Sequence, residues 1–452
     1  MKLWENNNNN HSDLNHQIED FTAGEDILLD QLLVRYDAIG SMAHAVMLEK
    51  IGILSQPELM ELKKALLEII ELDKKGQFEI ETWEEDVHTK IENYLTTRLG
   101  ESGKKIHTGR SRNDQILVDL RLYTKENLLK IQKNLLNLCN VLVNFSKVNE
   151  SLPMPGYTHF QKAMPSSVDL WALSFAESLL DDLNFLKTAY DLNDQNPLGS
   201  AAGYGVSINL DRELTTDLLG FGKLQNNVLY VQNSRGKIES MVLAALAQIM
   251  IDLSKLSNDL ILFSTEEFGF FNIPDEFRTG SSIMPRKRNP DILELIRART
   301  NRVISYYSQT INIIKDLPSG YSRDLQETKE PILKGLTVTN ACLEMMAPLI
   351  NNLIVNKERL RESFSPEIYA ADKAFKLVTQ GIPFRDAYRE IERDLQKVEL
   401  TTPEEIIKKR KSKGTTGNLG LDELEKKVEE EQNLVNSKKE KFYQKITTLI
   451  SE

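Results

Sequence analysis

Between Ser111 and Leu152 the chain contains neither glycine nor proline, and Leu128, Ile131, Leu135, Leu138, Leu142 and Phe145 recur at alternating spacings of three and four. That stripe is one face of a helix packed in a bundle. At about 1.5 Å per residue such a helix is roughly 60 Å long, about twice the diameter of a small domain, so it has to be the spine of something large. Residues 166–196 are equally free of breakers, and 228–263 is interrupted only by Gly236, with Met241, Leu243, Leu246, Ile249, Ile251 and Leu253 crowding more than one face. This last segment is expected to be central and buried. Residues 291–317 and 331–355 read as two further helices. Alternating strand patterns are scarce, so the expected class is all-α, with a central long-helix bundle.

Around that spine the 452 residues divide into three expected domains. Residues 1–108 carry shorter helices at 26–51, 56–75 and 86–100; the bundle and its loops take 109–360; and 361–452, rich in Lys and Glu, forms a small helical domain. The charge run at 408–413 reads as a solvated face without a function. A formal charge of −11 argues against a nucleic-acid or anionic-membrane partner, since either rewards a basic excess. Cys139 and Cys342 both fall in apolar helical patterns, which speaks against a disulfide framework or a cysteine metal site. The first eleven residues are polar, with asparagine from Asn6 to Asn10, and lack the apolar stretch of a signal peptide. No apolar run reaches the roughly 20 residues of a membrane span, so the expected location is the cytoplasm.

Four polar, Gly-rich segments break the helical rhythm. The first, 104–115, enters the long helix with Arg110 and Arg112 beside its N-terminal amides, an arrangement suited to carboxylates. Ser111 or Asn113 acting only as a cap, with the arginines in water, explains the same residues about as well. The second, 154–161, is a loop fixed by Pro155 and Gly156 that carries His159 between Thr158 and Gln161. A lone loop histidine is more often surface than catalyst. The third, 196–205, is rich in Gly and Ala, which suits close approach to a ligand or plain connection equally. The fourth, 279–291, packs Gly280, Ser281, Ser282, Arg286, Lys287, Arg288 and two prolines into thirteen residues. A mobile loop closing on an acidic substrate accounts for that composition better than a connector does.

This fourth segment resembles the signature Gly-Ser-Ser-x-Met-Pro-x-Lys-x-Asn-Pro of the fumarase, aspartase and argininosuccinate lyase superfamily, matched completely from Gly280 to Pro290. His107 to Gln115 narrows the resemblance to the argininosuccinate lyase branch, as do Gly156 to Gln161, Pro197 to Gly203, and Tyr321 with Gln326 and Lys329. The similarity runs from about Asp26 to Ala387, nearly the whole chain. Two departures stand out: Gly24 falls where the branch usually has a substrate-contacting serine, and Arg286 and Arg288 replace the more usual Gln and Lys.

The resemblance implies a cofactor-free, metal-free elimination of fumarate from argininosuccinate, leaving arginine. A proton is removed beside a carboxylate, a doubly negative aci-carboxylate forms, and the guanidino nitrogen then leaves. Such chemistry needs a strong base, an opposing acid and fixed positive potential. By resemblance Ser281 is the base, His159 the acid, Lys287 a stabiliser of the alkoxide together with backbone amides, and Glu294 the carboxylate that orients the histidine. Without the resemblance, Ser281 would read as a loop cap and Glu294 as an exposed helix residue. Lys287 and Asn289 are expected to hold the succinyl carboxylates, and Arg112, Asn113, Thr158, Tyr321, Gln326 and Lys329 fall on substrate-contacting positions. Asp86 either meets a cationic part of the substrate or caps the following helix.

Helix length adds a further step. Arg112 and His159 flank opposite ends of the long helix, so a small substrate cannot touch both from one chain, and the site must combine subunits. This agrees with the homotetramer that the resemblance implies, whose four chains share a helical core. The competing expectations are another lyase of the superfamily, acting on adenylosuccinate, aspartate or malate, and a structural homologue without activity.

Overall fold

The computed structural model describes residues 18, 21–393 and 402–451. The expected 26–51 helix is two pieces, α1 (Asp26–Asp30) and α2 (Val34–Lys50), because residues 31–33 turn, with the Leu33 amide donating to the Asp30 carbonyl at 2.8 Å. A capping box starts α3 (Gln56–Lys74), where the Ser55 amide donates to the Glu58 carboxylate at 2.8 Å. Asp86 caps α4 (Val87–Leu99), accepting the Thr89 amide at 2.8 Å.

The long helix is α5 (Arg112–Val148), 37 residues and about 55 Å. Its stripe Leu128, Ile131, Leu135, Leu138 and Leu142 is completely buried, each side chain contributing about 1.5–3 kcal/mol. It packs along α6 (Val168–Asn193), and the bundle is completed by α8 (Lys237–Phe263), α9 (Asp291–Ile314) and α10 (Lys329–Asn351). Among the described residues α8 is the one helix long and apolar enough to cross a membrane. That apolarity is broken by polar residues along the sequence and is spent inside the bundle: Val242, Leu243, Leu246, Ile249, Leu253 and Leu260 are fully buried.

Two departures from the expected pattern both fall beside candidate site residues. The 228–263 segment is not one helix. It breaks into α7 (Val228–Asn233) and α8, with Ser234, Arg235 and Gly236 between them. Gly236 has φ +77, and a Cβ there would lie 2.3 Å from Ile314 Cγ2 and 3.3 Å from Thr328 Cγ2. Gly236→Ala is accordingly expected to cost about 2–4 kcal/mol, combining left-handed strain with a clash against a stiff β-branched side chain. Chemical denaturation at fixed chain concentration measures it, and a cost below about 1 kcal/mol would contradict the packing described.

The second departure is the loop carrying His159, which is a hairpin of β1 (Pro153–Thr158) and β2 (Gln161–Ser167). His159 and Phe160 form its tip with φ +54 and +57, the mirror-image turn whose twist matches paired strands. The signature segment is also tied at its neck, where β3 (Thr279–Gly280) pairs with β4 (Arg288–Asn289).

Beyond the bundle come short helices Lys357–Glu362, Ala370–Thr379, Phe384–Arg393 and Pro403–Lys408, and Tyr369, Ile406 and Ile407 form a small separate cluster there with Phe364 packed against it. The last helix, α11 (Leu421–Ser451), returns along α5 and buries Val435, Phe442, Ile446 and Leu449 in the main core. Within the 408–413 charge run, Arg410 is a latch: it pairs with Asp372 at 2.8 Å and donates to the Pro165 carbonyl at 2.8 Å.

Candidate active site

The entry to α5 does two jobs at once. Ser111 caps the helix in a box with Asp114, whose carboxylate accepts the Ser111 amide at 2.8 Å. The second Asp114 oxygen accepts the amides of Gly199 at 2.9 Å and Ala201 at 3.0 Å, pinning the Gly-rich third segment to the helix end. Burial pushes the Asp114 carboxyl up to about 6 in spite of those amides. Capping therefore holds, but the arginines do not simply face water. Arg110 reaches the Ser41 hydroxyl at 2.8 Å, and Arg112 pairs with Asp86 at 2.6 Å.

Asp86 is thus both cap and ion-pair partner, one oxygen for each task. It opens into a cavity of about 240 Å³ that gathers six of the expected substrate-contacting residues: Asp86, Arg112, Asn113, Tyr321, Gln326 and Lys329. Five separate stretches of chain build its wall. Lys329, at the start of α10, is buried between Asp30 at 2.5 Å and Asp26 at 3.1 Å. Burial opposes its charge, but the Asp30 and Asp26 carboxylates outweigh burial and hold Lys329 above its ordinary value. Gln326 donates to the Thr22 carbonyl at 3.0 Å, so the N-terminal segment crosses the cavity. Ala23 lines the cavity, while the space around a Gly24 Cβ is open.

His88, which also lines this cavity, forms with Asp37 and Asp119 the one group of acidic, His or Cys donors among the described residues close enough to share a metal ion. Within the group His88 and Asp37 are hydrogen-bonded to each other, while Asp119 lies 3.8 Å from His88 Nδ1. His88 Nδ1 is bonded to Asp37, which also accepts the Ser41 hydroxyl at 3.1 Å. Burial opposes charge on His88, yet the Asp37 carboxylate prevails and raises its pKa. Burial, reinforced by the Asp37 and Asp30 carboxylates, raises the Asp119 carboxyl well above its ordinary value.

The signature loop borders a second cavity of about 760 Å³, lined by Lys287, Asn289 and Glu294 together with Ser264 and Thr265 from the end of α8. The Ser281 Oγ accepts the backbone amides of Met284 at 2.9 Å and Ile283 at 3.3 Å. Two amide dipoles aimed at one hydroxyl oxygen favour its deprotonated form. Lys287 is exposed, and Arg286 turns the chain with φ +71. Thr158 and His159 are exposed at the hairpin tip and line neither cavity.

The expected residues therefore fall into three places on one chain. The first cavity includes Arg235, just before α8 begins, and the second includes Ser264, just after it ends. The 27 residues of α8 hold them about 40 Å apart. The hairpin is at the second end, where Tyr157 packs 6.3 Å from the Phe263 ring. Arg235 itself was missed by the sequence pattern, which places it inside a helix interrupted only by Gly236.

A family described as Lyase matches residues 13–305. With helices arranged as above, the chain belongs to that family. It is 44% identical over 425 residues to the argininosuccinate lyase of Phocaeicola vulgatus, covering 94% of each chain. It is 43% identical over 388 residues to that of Thermotoga neapolitana, covering 86% of this chain and 96% of the relative. Its branch within the family is that of the argininosuccinate lyases. The fold is shared more widely. An EDDS lyase solved with formate superposes with TM-score 0.79 at 22% identity, over 95% of this chain and 94% of the other. A class II fumarase from Schistosoma mansoni superposes with TM-score 0.71 at 18% identity, over 86% and 94%.

Proposed function

We propose that this chain eliminates fumarate from argininosuccinate and releases arginine, serving arginine biosynthesis. The observation that carries the reading is the Ser281 oxygen receiving two backbone amides inside a cation-rich loop. Ser281 takes the carbon-bound proton beside a succinyl carboxylate. The electron pair left on carbon passes into that carboxylate, and Lys287 and Asn289 balance the charge that accumulates there. The C–N bond then breaks and His159 delivers a proton to the departing guanidino nitrogen, with Glu294 orienting the imidazole. Arg112, Asn113, Thr158, Tyr321, Gln326 and Lys329 hold the substrate, and Asp86 fixes Arg112.

The working unit is a homotetramer whose sites draw on several chains. Support comes from the span of α8 between the two cavities, which no small substrate can bridge. Purified protein mixed with argininosuccinate should yield arginine and fumarate in equal amounts. Turnover of adenylosuccinate, aspartate or malate in its place would move the chain to another activity of the superfamily, and no turnover of any would mark it as a structural homologue.

A further inference from the structure

The break between α7 and α8 aims one residue that no motif singles out. Arg235 is 4% exposed, lines the first cavity, and has its Nε buried without a hydrogen-bond partner. Its guanidinium stands 5.5 Å from the centre of the Tyr321 ring. The other cations of that cavity are paired: Arg112 with Asp86 at 2.6 Å, Lys329 with Asp26 at 3.1 Å, and Arg323 with Glu85 at 3.6 Å. Among the described residues no carboxylate comes within ion-pair distance of Arg235. A buried guanidinium without an anion is costly, and an aromatic face offsets only part of that cost. A ligand carboxylate supplies the rest in the bidentate geometry that arginine favours.

The geometry points to Arg235 as the residue that binds the α-carboxylate of an amino-acid head, making the first cavity the subsite for the arginine end of the substrate. The inference rests on the elimination reading above. The choice of end follows from charge. Asp26, Glu85 and Asp86 share the wall with Arg235, so a dicarboxylate would meet like charge there, whereas an ammonium and a carboxylate held together match both signs.

Titration calorimetry with L-arginine, with agmatine, which lacks only the α-carboxylate, and with fumarate tests this. The wild-type protein should bind arginine at least about tenfold more tightly than agmatine, as a charge-assisted contact implies. Arg235→Gln should erase that preference, weaken arginine by about tenfold to a hundredfold, and leave fumarate inhibition unchanged. In turnover it should raise KM with little change in kcat, because the contact is remote from the bond that breaks. Equal wild-type affinity for arginine and agmatine, or a variant that loses fumarate rather than arginine, overturns the assignment. The wild-type comparison stands even if R235Q fails to assemble, and Arg235→Lys, keeping the charge without the fork, should then fall between the two. A wild-type protein that prefers arginine to agmatine yet does not turn over argininosuccinate would sink the elimination reading alone.

Discussion

Ser281→Ala and His159→Asn are each expected to lower fumarate release by about three orders of magnitude, the scale of losing a positioned base or acid. Assembled together from one mixed preparation, they are expected to regain roughly a quarter of the wild-type rate. The reason is the placement of the groups. Ser281 belongs to the loop after α8 and His159 to the exposed tip of the hairpin after α5, which does not line the cavity beside that loop. If a working site takes its hydroxyl from one chain and its imidazole from another, a hybrid contains sites in which both defects are avoided. A one-to-one random mixture restores roughly a quarter of the sites, since each of two independent positions must be filled by the right chain. Separating hybrids by a charged tag and following fumarate absorbance gives the recovered fraction. Hybrids that assemble but stay at the level of the parents would mean that both groups serve from the same chain, and the shared-site reading would fall.

How much of this was legible in the sequence depends on whether the cause was local. The continuity of α5 was readable because an unbroken run without Gly or Pro, a stripe at helical spacing and the Ser111 cap all lie within the segment itself. The break at Gly236 was not, because what forbids a side chain there is Ile314, almost eighty positions away. The hairpin was hidden for a different reason: Pro153, Pro155 and Pro165 argue against strands, and its turn uses His159 and Phe160 where Asn-Gly would announce it. The same division runs through the site. The signature at 280–290 is contiguous and could be read as a unit, and in the structure the Ile283 and Met284 amides donate to the Ser281 Oγ. The first cavity is assembled from stretches near residues 26, 86, 112, 235 and 326. Six of its members were reached through resemblance to the branch, whereas Arg235, carried by no motif, emerged only from its burial and its missing anion.

Lys329 is expected to be the costliest of these cavity residues to remove. Its ammonium is 4% exposed and lies between Asp30, itself fully buried and bonded to the Val87 amide at 3.1 Å, and Asp26. Lys329→Met takes away the charge and leaves both carboxylates in low dielectric, so a loss of about 3–5 kcal/mol is expected at neutral pH. The sign of the pH dependence follows from the shifts. Although burial opposes it, the neighbouring carboxylates hold the Lys329 pKa above its ordinary value, so its stabilisation is complete below the ordinary lysine value and disappears as pH rises through the elevated one. On the acid side the variant behaves differently from wild type. Burial raises Asp26 even with the lysine present, and without it the orphaned pair takes up protons more readily still. The deficit of Lys329→Met should therefore narrow as pH falls from 7 toward the carboxylate range. Adding Asp30→Asn to the variant should recover part of the loss, because the amide keeps an acceptor for Val87 without a charge to bury. Denaturation at fixed chain concentration, repeated at several pH values, reads all three effects. A Lys329→Met protein within about 1 kcal/mol of wild type at pH 7 would show that water reaches the pair, and that Lys329 is held there for the substrate alone.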